Sequence, residues 1–243
     1  MLAWLAKEED LLKAFAAGRD VYSEFSSQIY GRTITKDQKL ERYVGKTAIL
    51  GLGYGMGHAK FRATLKAGSP SVDISEKAAL IIVSQYRALY PKITRLWNAS
   101  KQLLFTMLNN NQAEVTYGLL TVKHNSVQLP NKMHLKYPKL TYTKGQFVYF
   151  SGKNLIYTHG ARVTENIIQA LARIVITDQM LEVQKLKGVS IVMQIHDEIV
   201  SIAIDSNPDE TLEQILAIMK TPPSWCSDLP LDAEGSYGKS YDK

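Results

Sequence analysis

One stripe of a predicted helix carries side chains that could bind a nucleoside triphosphate. Its members recur every four residues and are Arg42, Lys46, Leu50 and Tyr54. This order gives two cations for phosphates at one end, and an apolar side chain and a phenol for the sugar and base at the other. Apolar residues, which we expect to be buried, form the opposite stripe: Leu40, Val44, Ala48 and Leu52. An ordinary amphipathic helix with two exposed bases has the same spacing, so this alternative stays open.

A second candidate site is His196-Asp197-Glu198, which separates two β-branched runs, Val189 to Ile195 and Ile199 to Ile204. The runs predict a β-hairpin of two buried strands with the acids at or beside its tip. A carboxylate held there is a good ligand for Mg²⁺, which takes oxygen ligands and keeps water and substrate phosphate in its shell. The alternative is that both acids are simply polar turn residues.

A glycine-dense run follows the first stripe, at Gly51, Gly53, Gly55 and Gly57. It does not fit the G-x-G-x-x-G pattern of dinucleotide-binding proteins, because Met56 and His58 stand where glycine is needed and no strand precedes the run. A phosphate-binding loop of the G-x-x-x-x-G-K-[ST] type is also missing from the sequence. We expect these glycines to end the helix and to let a large group, such as a base pair, approach the backbone.

The elements that must position these sites are helical in the first 108 residues and mixed afterwards. Helical spacing predicts segments at Leu2 to Gly18, Asp20 to Tyr30, Lys36 to Leu52, Ser75 to Leu89 and Pro91 to Leu108. Asn109 to Asn111 break this pattern, and short strands are expected from Glu114 to Tyr157. A long helix at Ala161 to Lys187 and a last one at Pro208 to Lys220 flank the hairpin. The long helix carries a polar face made of Arg162, Glu165 or Asn166, Gln169 and Arg173.

Composition and charge narrow the class of protein. The 243 residues carry a formal net charge of +6, divided as +4 over residues 1–70, +8 over 71–160 and −6 over 161–243. A basic middle beside an acidic end suggests one surface for a polyanion and another where carboxylates gather, although a solvated lysine-rich face has the same composition. The longest apolar run, Ala78 to Val83, is too short to span a membrane. Cys226 is the single cysteine, which excludes an intrachain disulfide and favours a reducing compartment.

With these residues in view, the sequence resembles the polymerase region of family A DNA polymerases, especially the phage-type branch. Arg42-x-x-x-Lys46-x-x-x-Leu50-Gly51-x-x-Tyr54-Gly55 resembles the fingers helix, and Gln194 to Glu198 resembles the palm hairpin with one catalytic aspartate. Thr164 to Ala170 resembles the palm helix that follows the primer-template minor groove. The resemblance implies an α+β fold, with helical fingers and a palm that has an antiparallel sheet and long packing helices. The subdomains would be a palm-associated helix at residues 1–19, fingers with a β-hairpin insertion at 20–158 and palm at 159–243.

The resemblance also implies a role for each matching residue. Catalytic roles would fall to Asp197 and Lys46, with Asp197 and Glu198 as metal ligands in a two-metal Mg²⁺ site. The incoming dNTP would contact Arg42, Lys46, Leu50, Tyr54 and, from a segment that matches only in part, Tyr22. Primer-template DNA would contact Gln169, His196, Arg162 and Asn166. Leu50 departs from the aromatic residue often found there, which puts stacking on the sugar in question.

The expected function is template-directed DNA synthesis in the cytoplasm, or in the host cytoplasm if the gene belongs to a phage. Family members place an Asp-x-Ser-x-x-Glu-x-Arg strand before the segment that begins here with Met1, and Asp73, Asp178 and Asp205 have no such strand pattern around them. We therefore expect a right hand without a thumb, doubtful activity of the isolated chain, and a companion polypeptide that carries the first palm strand and the thumb. Two alternatives are a non-catalytic DNA- or nucleotide-binding remnant or split-polymerase subunit, and a single-subunit RNA polymerase relative, which Glu198 disfavours.

Overall fold

The computed structural model describes residues 1–109, 114–204 and 206–241, so Asn110, Asn111 and Asp205 lie outside the described residues. The described chain divides into two compact units, a first unit at Met1–Ile168 and a second at Gln169–Lys243. The α-helices are α1 (Leu2–Ala6), α2 (Glu9–Ala16), α3 (Val21–Tyr30), α4 (Lys39–Leu52), α5 (His58–Ala67), α6 (Glu76–Leu89), α7 (Pro91–Asn109), α8 (Gly160–Val183) and α9 (Pro208–Lys220). The strands are β1 (Val115–Tyr117), β2 (Leu120–Lys123), β3 (Ser126–Gln128), β4 (His134–Lys136), β5 (Thr141–Thr143), β6 (Gln146–Ser151), β7 (Asn154–Thr158), β8 (Val189–Ile195) and β9 (Glu198–Ala203).

The first predicted helix is two helices in the structure, because Lys7 ends α1 in a left-handed conformation with φ 56°. The turn brings Glu8 into the interior, where it is only 5% exposed. Its carboxylate accepts a hydrogen bond of 3.0 Å from the backbone N–H of Lys92, in the first turn of α7. An acceptor at this place satisfies one of the unpaired donors at the start of a helix. The prediction of a single helix was therefore wrong. Helical spacing within residues 2–18 carries no information about the contact between Glu8 and Lys92, which is 84 residues away.

The core of the first unit lies among its first seven helices, and α4 buries one side in it. Val44, Ala48 and Leu52 of the predicted apolar stripe are buried, as expected, but Leu40 is 49% exposed because it lies in the first turn of α4. Helices α3 and α4 approach each other closely at Gly45. A Cβ atom there would lie 2.2 Å from Ser26 Oγ and 2.3 Å from the carbonyl oxygen of Tyr22. Only glycine permits this approach.

The glycine-dense run ends α4 and leads into α5, a helix that the sequence analysis did not include. Gly55 adopts φ 79°, and a Cβ atom on it would lie 2.6 Å from the Cβ of Ala161 at the start of α8. A Cβ atom on Gly53 would lie 2.5 Å from Cδ2 of Leu2. The close neighbours that these two glycines admit are protein side chains, whereas the sequence analysis expected a group such as a base pair.

Two small antiparallel sheets follow α7 in the first unit. One has the order β1-β2-β3-β4 and the other β5-β6-β7. The second sheet packs on α7 through aromatic rings, since the Phe105 ring centroid lies 4.7 Å from that of Phe147 and 5.3 Å from that of Tyr142. The strand-rich segment predicted after α7 is therefore present and consists of short hairpins.

The second unit contains the rest of α8, the two-stranded sheet β8-β9 and α9. Gln179 of α8 is 4% exposed and donates through Nε2 to the carbonyl oxygen of Met219, at 2.7 Å, which ties α8 to the end of α9. The expectation of two buried strands in the hairpin was wrong, because Val189 is its only buried residue among those described. The sheet has two strands, and Val192 and Ile202 are 55% and 65% exposed.

Candidate nucleotide and metal sites

The predicted nucleotide stripe lies on the solvent side of α4. Lys46 is exposed and makes no ion pair within the described residues, and Leu50 is 51% exposed. Tyr54 was predicted as a member of the same helix, but α4 ends at Leu52 and Tyr54 lies in the turn that follows. Its backbone N–H still bonds to the carbonyl oxygen of Gly51, at 3.2 Å, so the chain keeps a helix-like turn at this point.

Arg42 is held by Asp20, the N-cap residue of α3, to which the sequence analysis gave no role in the site. Asp20 accepts from Arg42 Nε at 2.6 Å and from Nη2 at 3.2 Å, and its carboxylate also caps the first turn of α3. Ser23 Oγ donates to Asp20 Oδ2 at 2.7 Å. Burial alone would raise the pKa of Asp20. The hydrogen bonds from Arg42 and Ser23 outweigh this effect and lower the pKa to about 2. The pair is thus ionised at neutral pH and fixes one edge of the guanidinium.

Tyr22 joins Arg42 on this surface. The Arg42 guanidinium carbon lies 5.3 Å from the centroid of the Tyr22 ring, within the range of a cation–π contact. Among the described residues Arg42 Nη1 forms no hydrogen bond, because the two bonds to Asp20 use Nε and Nη2. A phosphate can therefore reach the guanidinium at its open edge without breaking the contact to Asp20.

Tyr54 and Arg162 both interact with Glu165 of α8. Burial, and secondarily the charge of Glu165, raise the pKa of Tyr54. The same Glu165 forms an ion pair of 2.9 Å with Arg162, whose side chain is 52% exposed. Asn166, one turn further, donates through Nδ2 to the buried Tyr137 hydroxyl at 3.2 Å. Glu165 thus interacts both with Tyr54, at the end of the nucleotide stripe, and with Arg162, a predicted DNA contact.

The hairpin of the second unit presents the predicted metal ligands. His196 adopts φ 52°, a left-handed conformation that suits the first position of a two-residue hairpin turn. Gln194 links this tip to α8, since Arg173 Nη1 donates to its side-chain oxygen and its Nε2 donates to the carbonyl oxygen of His196 at 2.6 Å. Asp197 is exposed at the tip. The backbone of the tip is therefore fixed while the Asp197 carboxylate stays open.

Glu198 lies at the start of β9, half-buried, and accepts from the Tyr241 hydroxyl at 3.4 Å. Among residues 1–109, 114–204 and 206–241, no group of three or more His, Cys, Asp or Glu side chains is arranged to hold a metal ion. The hard oxygen donors of Asp197 and Glu198 fit one side of a Mg²⁺ site. A pair of metal ions needs further carboxylates or phosphate oxygens from another element.

The predicted site residues fall into two groups. The first unit holds Tyr22, Arg42, Lys46, Leu50, Tyr54, Arg162 and Asn166, and the second holds Gln169, His196, Asp197 and Glu198. Gln169 is exposed on α8. The sequence analysis did not assign roles to Asp20, Arg173 or Gln194, which position Arg42 and the hairpin tip. Alternation along β8 and the spacing along α8 could have singled out Gln194 and Arg173, but no spacing rule connects Asp20 to Arg42.

Comparison with known proteins shows what this chain is similar to. Residues 1–117 match the family model described as DNA polymerase family A. The DNA polymerase of Bacillus phage SP02 is 30% identical over 261 residues, a match that covers 100% of this chain and 39% of the phage protein. The chain is therefore similar to family A DNA polymerases. DNA polymerase I of Helicobacter pylori is 24% identical over 220 residues, which cover 90% of this chain and 21% of that protein.

A solved family A structure shares the fold. The POL domain of Pol1 from M. smegmatis, in complex with DNA primer-template and dNTP, aligns with 98% of this chain and 37% of that chain, with a TM-score of 0.68 and 18% identity. The α+β class predicted from the sequence is confirmed. This chain spans about two fifths of the length of the phage relative and about a fifth of the H. pylori relative. Family A polymerases use divalent metal ions. No helix in the described ranges is long and apolar enough to cross a membrane.

Proposed function

We propose that this chain supplies the dNTP-binding surface and a metal-binding carboxylate for template-directed DNA synthesis. In this reaction the primer 3′-hydroxyl attacks the α-phosphorus of the dNTP and loses its proton. A new P–O bond forms and the bond to pyrophosphate breaks. The match of residues 1–117 to the family A model, the similarity to the phage polymerase and the arrangement of α4 support this function.

The observation that carries the proposal is the solvent-facing order of charged and flat groups along α4. Arg42, held on one edge by Asp20, offers its Nη1 edge to the outer phosphates. Lys46 lies one turn further along, exposed, where its ammonium can meet charge that develops on the leaving group and supply the proton that pyrophosphate takes. Leu50 and Tyr54 continue toward the sugar and base.

The second unit has a complementary role in this proposal. Asp197, with Glu198 beside it, would hold Mg²⁺, which when bound neutralises phosphate charge and polarises the attacking oxygen. The hydrogen bonds from Arg173 to Gln194 and from Gln194 to the carbonyl oxygen of His196 fix the backbone of the hairpin tip. The backbone that carries Asp197 is therefore held in place. His196 and Gln169 would contact the primer-template near its 3′ end, and Arg162 and Asn166 would contact it from the first turns of α8.

A companion segment, as part of a longer polypeptide or as a separate one, would complete the metal site. The relatives contain polypeptide that this chain does not match. The hairpin carries apolar side chains that such a segment could cover, since Ile202 and Ile204 are 65% and 64% exposed. In the proposed arrangement residues 20–158 are fingers, residues 1–19 and 159–243 are palm, and the protein acts in the cytoplasm on primer-template DNA and dNTPs.

Binding of a fluorescent nucleotide tests the first part of the proposal. We would titrate mant-dATP with the 243-residue chain and follow anisotropy. Loss of a charge-assisted hydrogen bond is worth about 1.5–3 kcal/mol, so Arg42→Ala should weaken binding about 10- to 100-fold. Lys46→Ala should weaken it less, because Lys46 acts mainly on the chemical step. Lys39→Ala, an exposed lysine at the start of the same helix, is the matched control and should not change the affinity. Equal affinities for wild type and Arg42→Ala would refute the assignment.

Primer extension tests the reaction itself. The chain would be mixed with a polypeptide that covers the part of the phage SP02 polymerase without a counterpart here. Incorporation in the mixture should depend on Mg²⁺ and be abolished by Asp197→Ala. Glu213→Gln, which alters an exposed carboxylate of α9, should leave incorporation unchanged. Incorporation that survives Asp197→Ala would show that the metal site lies elsewhere.

A further inference from the structure

The turn that carries Tyr54 is held by a residue far away in the sequence. Tyr54 lies beyond the last residue of α4, so the regular hydrogen bonds of the helix do not fix its position. The last carbonyl groups of an α-helix have no partner within the helix. That of Gly53, the C-cap residue of α4, accepts a hydrogen bond of 2.9 Å from Nε1 of Trp97, 44 residues later on α7.

The hydrogen bond from Trp97 acts directly on the backbone of Tyr54. The Gly53 carbonyl and the Tyr54 N–H belong to one planar peptide unit. The carbonyl oxygen accepts from Trp97, and the N–H donates to the carbonyl oxygen of Gly51 at 3.2 Å. The peptide plane is therefore held at both ends, and this fixes the backbone from which the half-buried Tyr54 side chain projects. Without the indole N–H, the longer bond to Gly51 would hold the plane at one end only.

Trp97 is itself held in place by three elements. Its side chain packs against the buried core of the first unit, and the guanidinium carbon of Arg87 on α6 lies 5.8 Å from its ring centroid. The start of α8 approaches its backbone, since a Cβ atom on Gly160 would lie 2.0 Å from the carbonyl oxygen of Trp97. The next residue, Ala161, is the close neighbour of Gly55 in the turn after α4. Trp97 thus lies where α7, the start of α8 and this turn meet.

The two ends of the nucleotide stripe are held by different helices. Arg42, twelve residues before Tyr54, is bound by Asp20 at the start of α3. Tyr54 depends on Trp97 of α7 through the Gly53 carbonyl. Loss of the indole hydrogen bond should therefore disturb the end of the stripe that faces the sugar and base, while the end that faces the phosphates keeps its contacts.

We propose that Trp97 is a positioning residue for Tyr54, and that its indole N–H determines how tightly the site binds the base of the incoming nucleotide. This inference rests on the proposed function, because it takes the nucleotide to lie along the stripe with its base toward Tyr54. Trp97 acts through the peptide unit between Gly53 and Tyr54. Binding of the triphosphate group, which belongs to Arg42 and Lys46, is independent of it.

An isosteric replacement in the full chain isolates the indole N–H. Benzothienylalanine has the shape of tryptophan with sulfur in place of the N–H, so its incorporation at position 97 removes the hydrogen bond and keeps the packing. The chain would be labelled with 3-fluorotyrosine, and Tyr54→Phe would assign the ¹⁹F resonance of Tyr54. The replacement at Trp97 should shift this resonance. The same replacement at Trp225, whose Nε1 donates to Asp178 Oδ2 at 3.0 Å in the second unit, is the matched control and should leave it unchanged.

Two ligands separate the base end of the stripe from the phosphate end. The replacement at Trp97 should weaken binding of mant-dATP about three- to tenfold, the range expected for loss of one hydrogen bond. Inorganic triphosphate, which has no sugar or base, should compete with mant-dATP at an unchanged inhibition constant. Arg42→Ala should weaken binding of both ligands. Equal losses of both ligands on replacement of Trp97 would indicate a general structural role and would overturn the inference.

The NMR and binding results together keep this inference apart from the proposed function. An unchanged Tyr54 resonance, in a chain that binds mant-dATP in an Arg42-dependent manner, would overturn the inference alone. A Tyr54 resonance that shifts on replacement of Trp97, in a chain whose mant-dATP affinity does not depend on Arg42, would overturn the proposed function and leave the positioning of Tyr54 by Trp97 intact.

Discussion

Asp20→Asn should reveal how strongly the ion pair with Arg42 stabilises the first unit. Asparagine caps helices about as well as aspartate, so α3 keeps its cap while the charge is lost. The pKa of Asp20 falls from 3.8 to about 2 on folding. At about 1.36 kcal/mol per unit, this difference corresponds to about 2.5 kcal/mol of stability at neutral pH. The Asp20 side chain is 18% exposed, and solvent screening reduces the expected contribution to about 1–2 kcal/mol.

The pH dependence of the effect has a defined sign. Because folding lowers the pKa, the contribution of Asp20 is complete above the unfolded value of 3.8 and declines as the pH falls toward about 2. The difference in unfolding free energy between wild type and Asp20→Asn should therefore shrink by roughly half, on the order of 1 kcal/mol, between pH 6 and pH 3. The wild type loses stability over this interval, and the variant loses correspondingly less.

Urea unfolding followed by tryptophan fluorescence measures this difference. In a Trp225→Phe background the remaining tryptophans, Trp4 and Trp97, both lie in the first unit. As a control, Asp20→Asn in an Arg42→Ala background should show a smaller and flatter difference, because the partner charge is already absent. A difference that stays constant between pH 6 and pH 3 in the background with Arg42 would refute the assignment of the low pKa to this ion pair.

Three further predictions concern other parts of the first unit. Gly45→Ala should reduce the unfolding free energy by about 1–3 kcal/mol in the same urea assay, because its methyl group would overlap Ser26 Oγ and the Tyr22 carbonyl oxygen. Glu8→Gln keeps an acceptor for the Lys92 N–H but loses the charge, so it should destabilise less than Glu8→Ala; equal losses would contradict the capping role. Leu50→Tyr should change the ratio of dideoxy to deoxy incorporation in the reconstituted primer extension assay, since a rigid ring would replace an aliphatic side chain beside the sugar, and an unchanged ratio would exclude that contact.

Local spacing predicted much of the fold and the arrangement of the nucleotide stripe. Residues on one side of a helix recur with a fixed period, so the burial of Val44, Ala48 and Leu52 and the exposure of Lys46 and Leu50 could be read from the sequence. The period fails where a helix begins or ends. For this reason Leu40, which was predicted to be buried, is exposed in the first turn of α4. Tyr54, which was predicted to be helical, lies just beyond the end of the helix.

Contacts between distant segments could not be predicted in this way. Glu8 reaches Lys92, and Asp20 reaches Arg42 across 22 residues, and no pattern within either segment specifies the other. The predicted burial of the hairpin β8-β9 was wrong for a related reason. Its β-branched runs predict strands correctly, but burial depends on what covers the sheet, which lies outside the runs themselves.

Packing and charge are coupled at the start of the nucleotide stripe. Gly45 lies three residues after Arg42 and allows the backbone of α3 to approach α4 at Tyr22 and Ser26. The same approach places Asp20, the N-cap of α3, within 2.6 Å of Arg42 Nε, and the Tyr22 ring beside the guanidinium. Any substitution that separates the two helices should therefore also release Arg42, so its effect on nucleotide affinity should follow its effect on stability. The geometry of the phosphate-binding edge is in this sense a property of helix packing, established by a residue that carries neither charge nor side chain.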